Sequence, residues 1–67
     1  MHSADILALV RKSKWRFLTK IAEASGLNPA ALRIALRRPQ RRAELAIAKA
    51  VGRAPHELWP DRWDAAG

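Results

Sequence analysis

Residues 18–37 read LTKIAEASGLNPAALRIALR, and this stretch decides the fold. Its apolar residues recur at helical spacing on both sides of Gly26, which predicts two short helices joined by a tight turn. Ala22 is small enough for a close helix crossing, and Gly26 can adopt the positive φ that such a turn requires. Asn28 and Pro29 are both preferred where a helix begins, so the second helix is expected to start there. The spacing predicts a helix-turn-helix.

Similar signals divide the rest of the chain into short helices. The expected helices cover about residues 4–12, 16–25, 29–37, 41 or 42–51, and a short segment from 55. Ser3 is the expected N-cap of the first helix. Pro39 ends the third helix and Gly52 caps the fourth. Helical periodicity places Phe17 on the buried side of the second helix, and Leu45 is one of the apolar residues of the fourth.

Length and composition indicate one small all-α domain, a compact bundle of about five short helices. The chain has 67 residues and no cysteine, and alanine supplies 14 of its 33 hydrophobic residues. Alanine is the best helix former, whereas sheets draw on β-branched and aromatic residues. We expect a single domain over 1–67 with an ordered core of about 4–63 and frayed residues 65–67. Trp59 and Trp63 are interpreted as part of the core and its lid, with a dimer contact as the alternative.

Charge is unevenly distributed along the chain. The formal net charge is +7, and residues 1–42 hold ten basic and two acidic side chains, against three and four in residues 43–67. Such a field attracts polyanions, with nucleic acid as the first candidate and an anionic membrane surface as the second. No apolar run approaches the ~20 residues that span a bilayer. No signal peptide is visible, so we expect a cytoplasmic protein in a bacterial cell or its nucleoid.

The outward face of the third helix carries basic, small and apolar side chains and no acid. We expect base contacts from five residues on this face: Asn28, Ala30, Arg33, Ile34 and Arg37. Arginine suits the O6 and N7 atoms of guanine, and small or apolar side chains can pack against a thymine methyl group. For Ile34, burial against another helix or at a dimer contact is the alternative.

A dense arginine cluster follows the third helix. Residues 37–42 read RRPQRR, and like charges packed so tightly repel one another unless an anion offsets them. The predicted phosphate contacts are Thr19, Lys20, Arg38, Arg41 and Arg42. The alternative is a solvated run of charge. A second basic run, with Arg11, Lys12, Lys14 and Arg16, either adds to these contacts or only improves solubility.

The chain resembles the Ner-like family of small DNA-binding regulators, which comprises phage Ner proteins and their bacterial relatives. The resemblance rests on Ala4-Asp5-Ile6, Ile21-Ala22, Gly26-Leu27, Leu32, residues 35–39, Glu44, Ile47-Ala48 and above all the segment PHELWPDRW at residues 55–63. It implies a fold similar to the λ-repressor-type DNA-binding domain. It also implies that residues 28–37 form the recognition helix, with Ala30, Arg33, Ile34 and Arg37 facing DNA. In phages, the family turns down early promoters.

Two positions depart from the family pattern. Gln40-Arg41-Arg42 stands where relatives tend to have a Pro-Lys pair, and Trp63 stands where tyrosine is usual. The loop difference bears on the details of phosphate contact and leaves the expected fold unchanged.

These observations predict a sequence-specific, double-stranded DNA-binding transcriptional regulator, a repressor of phage or prophage type. Residues 29–37 would lie in the major groove, and two copies would bind each operator, dimeric only on DNA. A pocket of ~300 Å³ is hard to build in so small a core, so we expect neither an enzyme nor a small-molecule effector. Its histidines lack metal-ligand spacing, and no cofactor is expected. The alternative is a basic adaptor, or an RNA- or membrane-surface-binding protein that does not read DNA sequence.

Overall fold

A computed structural model of the protein describes residues 2–63, which form five helices and no strand. The helices are α1 (Ser3–Lys12), α2 (Leu18–Ser25), α3 (Pro29–Ala35), α4 (Arg41–Val51) and α5 (Pro55–Leu58). The predicted all-α bundle of about five short helices is therefore confirmed. Residues 65–67, expected to fray, lie outside the described part of the chain.

Helix α4 lies at the centre of the fold and contacts each of the other four helices. Its buried face carries Ile47 and Ala48, which meet the fully buried side chains of Ile6 and Leu32 in one hydrophobic core. Leu45, one of the apolar residues of α4, is 45% exposed. The helical phase of α4 is set by its larger buried side chains, and Leu45 falls on the opposite face.

The N-terminal caps of α3 and α1 test two of the predicted helix starts. Asn28 caps α3 as predicted, because its Oδ1 accepts the N–H of Ala30 at 2.9 Å. The predicted Ser3 cap of α1 is wrong: His2 is the N-cap, and its Nδ1 accepts the N–H of Ala4 at 3.1 Å. Helix α1 therefore begins one residue earlier than expected.

Helix α2 begins two residues later than its apolar pattern predicts. Arg16 has a φ of +63°, in the left-handed region, which interrupts the helix before Leu18. Phe17 is consequently the extended N-cap residue and is 63% exposed, so its predicted place in the core is wrong. The helical spacing between Phe17 and Ile21 does not place both side chains in the core, because the backbone at Arg16 is not helical.

Two glycines end helices in the same way. Gly26 after α2 and Gly52 after α4 have φ values of +68° and +70°. The residue after each glycine donates its N–H back into the helix, Leu27 to the Ala22 carbonyl at 2.9 Å and Arg53 to the Ala48 carbonyl at 3.0 Å. This is the Schellman pattern, and at Gly26 it reverses the chain into the helix-turn-helix.

Gly26→Ala is expected to lower the free energy of unfolding by about 1–2 kcal/mol. A Cβ added there would meet no atom within 4 Å, so the whole effect would come from the left-handed backbone. Urea unfolding measures the change. Gly26→Asn is the control and is expected to lose less, because asparagine tolerates this conformation. Equal losses for both variants would contradict the backbone explanation.

Within the described residues, none of the helices is long and apolar enough to span a bilayer. The Cα atoms extend 28 Å, 21 Å and 18 Å along the three principal axes. The domain is therefore at most 28 Å long, measured between Cα atoms.

Candidate nucleic-acid interface

Helix α3 divides its residues cleanly between the core and solvent. Leu32 and Ala35 are fully buried, whereas Ala30, Arg33 and Ile34 are exposed. Ile34 is 41% exposed, so it is not buried against another helix within residues 2–63. All five side chains predicted to contact bases, including Asn28 and Arg37, are therefore exposed to solvent.

The predicted recognition segment 29–37 contains both a helix and a turn. Helix α3 ends at Ala35, and the backbone continues as a turn in which Arg37 donates its N–H to the Ile34 carbonyl at 2.9 Å. Pro39 prevents the α-helix from continuing, because it disfavours helical geometry in the residue before it. Arg37 thus projects from a turn rather than from the last turn of an α-helix.

Four of the predicted site residues line one continuous concave surface. Arg33, Ile34 and Arg37 border a depression together with Leu18 at the start of α2. Thr19 and Arg33 border the adjoining one. Lys20, Arg38, Arg41 and Arg42 are exposed but lie outside these two depressions. The start of α2 and the outward face of α3 therefore form a single surface.

Lys20 already has a partner on its own helix. Its Nζ lies 3.7 Å from the Glu23 carboxylate, and both side chains are well exposed. An exposed ion pair of this kind contributes ~0–1 kcal/mol. The pair is weak enough for Lys20 to exchange the carboxylate for another anion.

One buried carboxylate organises the loop between α3 and α4. Glu44 is 2% exposed and accepts three hydrogen bonds: from the backbone N–H of Gln40 at 2.7 Å, from Arg62 Nη1 at 3.0 Å and from Trp63 Nε1 at 2.6 Å. A buried charge is tolerated only when it is paired and hydrogen-bonded in this way. The sequence signal for it was an acid on the apolar face of α4, beside Ala43 and Ile47.

Arg62 joins this carboxylate to the end of the recognition segment. Its Nη1 donates to the Ala35 carbonyl at 2.6 Å, and it lies 3.3 Å from the Arg38 carbonyl. The Ala35 carbonyl needs such a donor because a helix leaves its last carbonyls without partners of its own, and the Arg38 carbonyl belongs to the turn that follows. Residues near the end of the described chain therefore fix the backbone that carries Arg37 and Arg38.

Arg41 stacks on an aromatic ring that the same carboxylate holds. Its Cζ lies 4.4 Å from the centroid of the Trp63 ring. A stacked guanidinium keeps its N–H groups around the edge of its plane, where they can still reach a phosphate. Trp59, by contrast, belongs to the core, as predicted.

The comparisons with known proteins bear on what this surface is for. The whole chain, residues 1–67, matches the family described as winged helix-turn-helix DNA-binding. The chain belongs to this family. Its described residues contain the helix-turn-helix and no strand.

Relatives of this winged helix-turn-helix chain include bacterial and phage proteins. It is 40% identical over 62 residues to "Sugar fermentation stimulation protein B" of Escherichia coli strain K12, covering 92% of this chain. It is 36% identical over 62 residues to "Negative regulator of transcription" of Escherichia phage D108, covering 92% of this chain and 84% of the phage protein. The chain spans only 66% of the length of the Escherichia coli relative. No solved structure matches it.

Membership of the winged helix-turn-helix family confirms two predictions made from the sequence. The Ner-like resemblance is confirmed by the family match together with the phage relative. The predicted DNA-binding class is confirmed as well, by the family match over the whole chain. The comparisons point to a family of DNA-binding regulators rather than to a family of enzymes.

Proposed function

We propose that the protein represses transcription by binding duplex DNA sequence-specifically, with α3 in the major groove. The observation that carries the proposal is that the outward face of α3 and the turn after it present Arg33 and Arg37, with no acidic residue in residues 28–42. A major groove admits one α-helix, and exposed arginines are the side chains best suited to read guanine there. The phage relative is named as a negative regulator of transcription, which supports the sign of regulation.

Base recognition would combine polar and apolar contacts. Arg33 and Arg37 would donate to guanine O6 and N7, while Ala30 and Ile34 would pack against thymine methyl groups. Asn28 stands at the N-terminal end of α3. Its Oδ1 already accepts the Ala30 N–H, so its amide N–H groups are what it would offer to a base edge.

Phosphate contacts would hold the helix in register from two sides. Thr19 and Lys20 lie in the first turn of α2, and Thr19 borders the same depression as Arg33. Arg38, Arg41 and Arg42 would grip the backbone beyond the end of α3. Contacts of this kind position a protein on DNA and carry no sequence information themselves.

Two copies would occupy each operator. Recognition helices that read one face of DNA are spaced ~34 Å apart, one helical turn. The longest dimension of the Cα trace is 28 Å, so neighbouring copies would meet through side chains over a small area. An assembly of that kind favours pairing on DNA over a stable dimer in solution, and repression would follow from covering a promoter.

Selection of bound sequences from a random duplex pool tests the proposal. We expect enrichment of two half-sites whose centres are about one helical turn apart. Enrichment of a single short site would contradict the pairing of two copies. Equal retention of unselected duplexes and single-stranded RNA would contradict sequence-specific repression and favour a basic adaptor or an RNA-binding protein.

Arg33→Ala and Arg42→Ala are expected to separate base reading from backbone binding. Arg33→Ala should reduce discrimination at one base pair of the selected site by about 1–3 kcal/mol. Arg42→Ala should weaken binding to matched and mismatched duplexes by the same factor, because a phosphate contact ignores sequence. Titrations of each variant with both duplexes measure the two effects. Identical behaviour of the variants would contradict these roles.

A further inference from the structure

The loop between α1 and α2 is basic and carries an exposed aromatic ring. It runs over residues 13–17 and includes Lys14, Arg16 and Phe17, all exposed. No acidic residue lies between Asp5 and Glu23 in the sequence, so nothing nearby in the chain neutralises these cations. The sequence alone left open whether this run binds an anion or only improves solubility.

This loop is continuous with the surface that α3 presents. Arg16, Phe17, Thr19 and Arg33 border a single depression, and Arg33 also borders the next one with Arg37. A duplex lying along α3 would therefore extend over the loop. We favour DNA over an acidic protein as the ligand of the loop, because the depressions beside the loop are also bordered by Arg33 and Arg37, which are proposed to contact bases.

The backbone of the loop is strained at the residue that carries the cation. Arg16 has a φ of +63°, and Phe17 donates its N–H to the Trp15 carbonyl at 2.7 Å across it. Glycine would adopt this conformation without strain, whereas a residue with a Cβ does so at a cost. Strained residues concentrate at functional sites, and here the strain fixes the direction in which the Arg16 side chain leaves the loop.

We propose that this loop is a second contact with the DNA backbone, adjoining the Thr19 contact. Arg16 would donate to a phosphate, and the Phe17 ring would pack against the neighbouring deoxyribose. The inference rests on the proposed function, since it assigns more of the same ligand to the same surface. Charge complementarity and the shared border with Arg33 identify the occupant as the sugar–phosphate backbone of duplex DNA.

Phe17 distinguishes this contact from a purely electrostatic one. Phe17 is 63% exposed, so most of the apolar surface of this residue is in contact with water in the free domain. Burial of such a ring against a sugar removes that apolar area from water. A cation alone could attract any polyanion, whereas a cation beside an aromatic ring fits the alternation of phosphate and sugar.

Arg16→Gly tests the inference because it removes the cation and the strain together. We expect the urea unfolding midpoint to stay the same or rise, while affinity for the selected duplex falls about tenfold. The slope of log K against log salt should become shallower by about 0.9, the value for one phosphate. A merely structural role for Arg16 would not weaken binding while leaving the fold unharmed.

Arg53→Gln is the matched control, since it also removes one positive charge. Arg53 lies just beyond the C-terminal end of α4, and the helix from Arg42 to Val51 is about 13 Å long at 1.5 Å per residue. We expect its affinity to stay within about twofold of the unmodified protein. If Arg16→Gly and Arg53→Gln weaken binding equally, the effect is one of net charge and the loop contact is overturned.

Phe17→Ser gives an independent measurement. We expect about fivefold weaker binding with an unchanged salt slope, because the lost contact is apolar. Hydroxyl-radical footprints should lose protection at sugars beside the Thr19 contact. If the unmodified protein binds duplex DNA with a steep salt dependence but both loop variants match it, only the loop inference fails. Absence of that binding in the unmodified protein would instead overturn the proposed function.

Discussion

Arg62→Met is expected to lower the free energy of unfolding by about 3–5 kcal/mol, because it leaves the buried Glu44 carboxylate without its counter-ion. Arg62 Nη1 lies 3.0 Å from Glu44 Oε2, and Glu44 is 2% exposed. The variant also deprives the Ala35 carbonyl of its donor. Methionine retains much of the length of arginine, so little of the effect would come from lost packing.

A loss of this size would be decisive for so small a domain. A chain of 67 residues has a total stability of about 3–10 kcal/mol at the usual value per residue. Arg62→Met should therefore unfold at a much lower urea concentration than the unmodified protein, which circular dichroism during urea titration measures. Arg53→Met is the matched control and should change stability by less than about 0.5 kcal/mol, as exposed substitutions usually do.

A double variant separates the unpaired charge from the lost hydrogen bonds. Glu44→Gln combined with Arg62→Met removes both charges and keeps one side-chain oxygen, which can accept from either Gln40 or Trp63 but not from both. We expect this double variant to be more stable than Arg62→Met alone. If the double variant is less stable than Arg62→Met, the buried charge is not the cause of the loss.

Affinity for duplex DNA is expected to fall about 500-fold to 4000-fold between 50 mM and 200 mM salt. Five to seven neutralised phosphates give a slope of about −4.5 to −6 in log K against log salt. The exposed cations proposed to contact phosphates are Lys20, Arg38, Arg41 and Arg42, with Arg16 of the loop between α1 and α2 as a fifth. Fluorescence anisotropy with a labelled operator duplex, measured at several salt concentrations, gives the slope.

Single substitutions make this measurement specific. Arg42→Gln should make the slope shallower by about 0.9, whereas Lys49→Gln on α4 should leave it unchanged. Arg41→Gln removes a side chain that also stacks on Trp63, so its effect on stability must be measured in parallel. A slope near zero for the unmodified protein would contradict binding to the phosphate backbone.

Local signals in the sequence predicted the helix-turn-helix well. Gly26 and the Asn28-Pro29 pair fix the turn through backbone conformation and capping, which depend only on neighbouring residues. The exposure of Phe17 was not predictable, because apolar periodicity cannot reveal that Arg16 adopts a positive φ. The exposure of Leu45 was not predictable for a related reason: α4 is apolar on much of its circumference, so the sequence does not define which face the bundle covers.

In the candidate site too, features set by neighbouring residues were predictable, whereas contacts between distant residues were not. The exposure of Arg33, Ile34 and Arg37 follows from the helical period once Leu32 and Ala35 are assigned to the core. The bonds of Arg62 to Ala35 and Glu44 span 27 and 18 residues of sequence, and no local pattern encodes such pairings. The sequence therefore predicts which side chains of this segment reach solvent, but not what holds their backbone in place.

The hydrogen bond from Arg62 to the Ala35 carbonyl can form only late in protein synthesis, because Arg62 is 27 residues further along the chain. A ribosome finishes α3 long before it adds Arg62, so a nascent chain holds the whole recognition helix without the residue that secures its end. Until residues 62 and 63 leave the exit tunnel, Glu44 also lacks two of its three donors. Chains released before Arg62 is added would therefore lack the contacts that hold the end of α3, and truncation near residue 60 is expected to destabilise the domain.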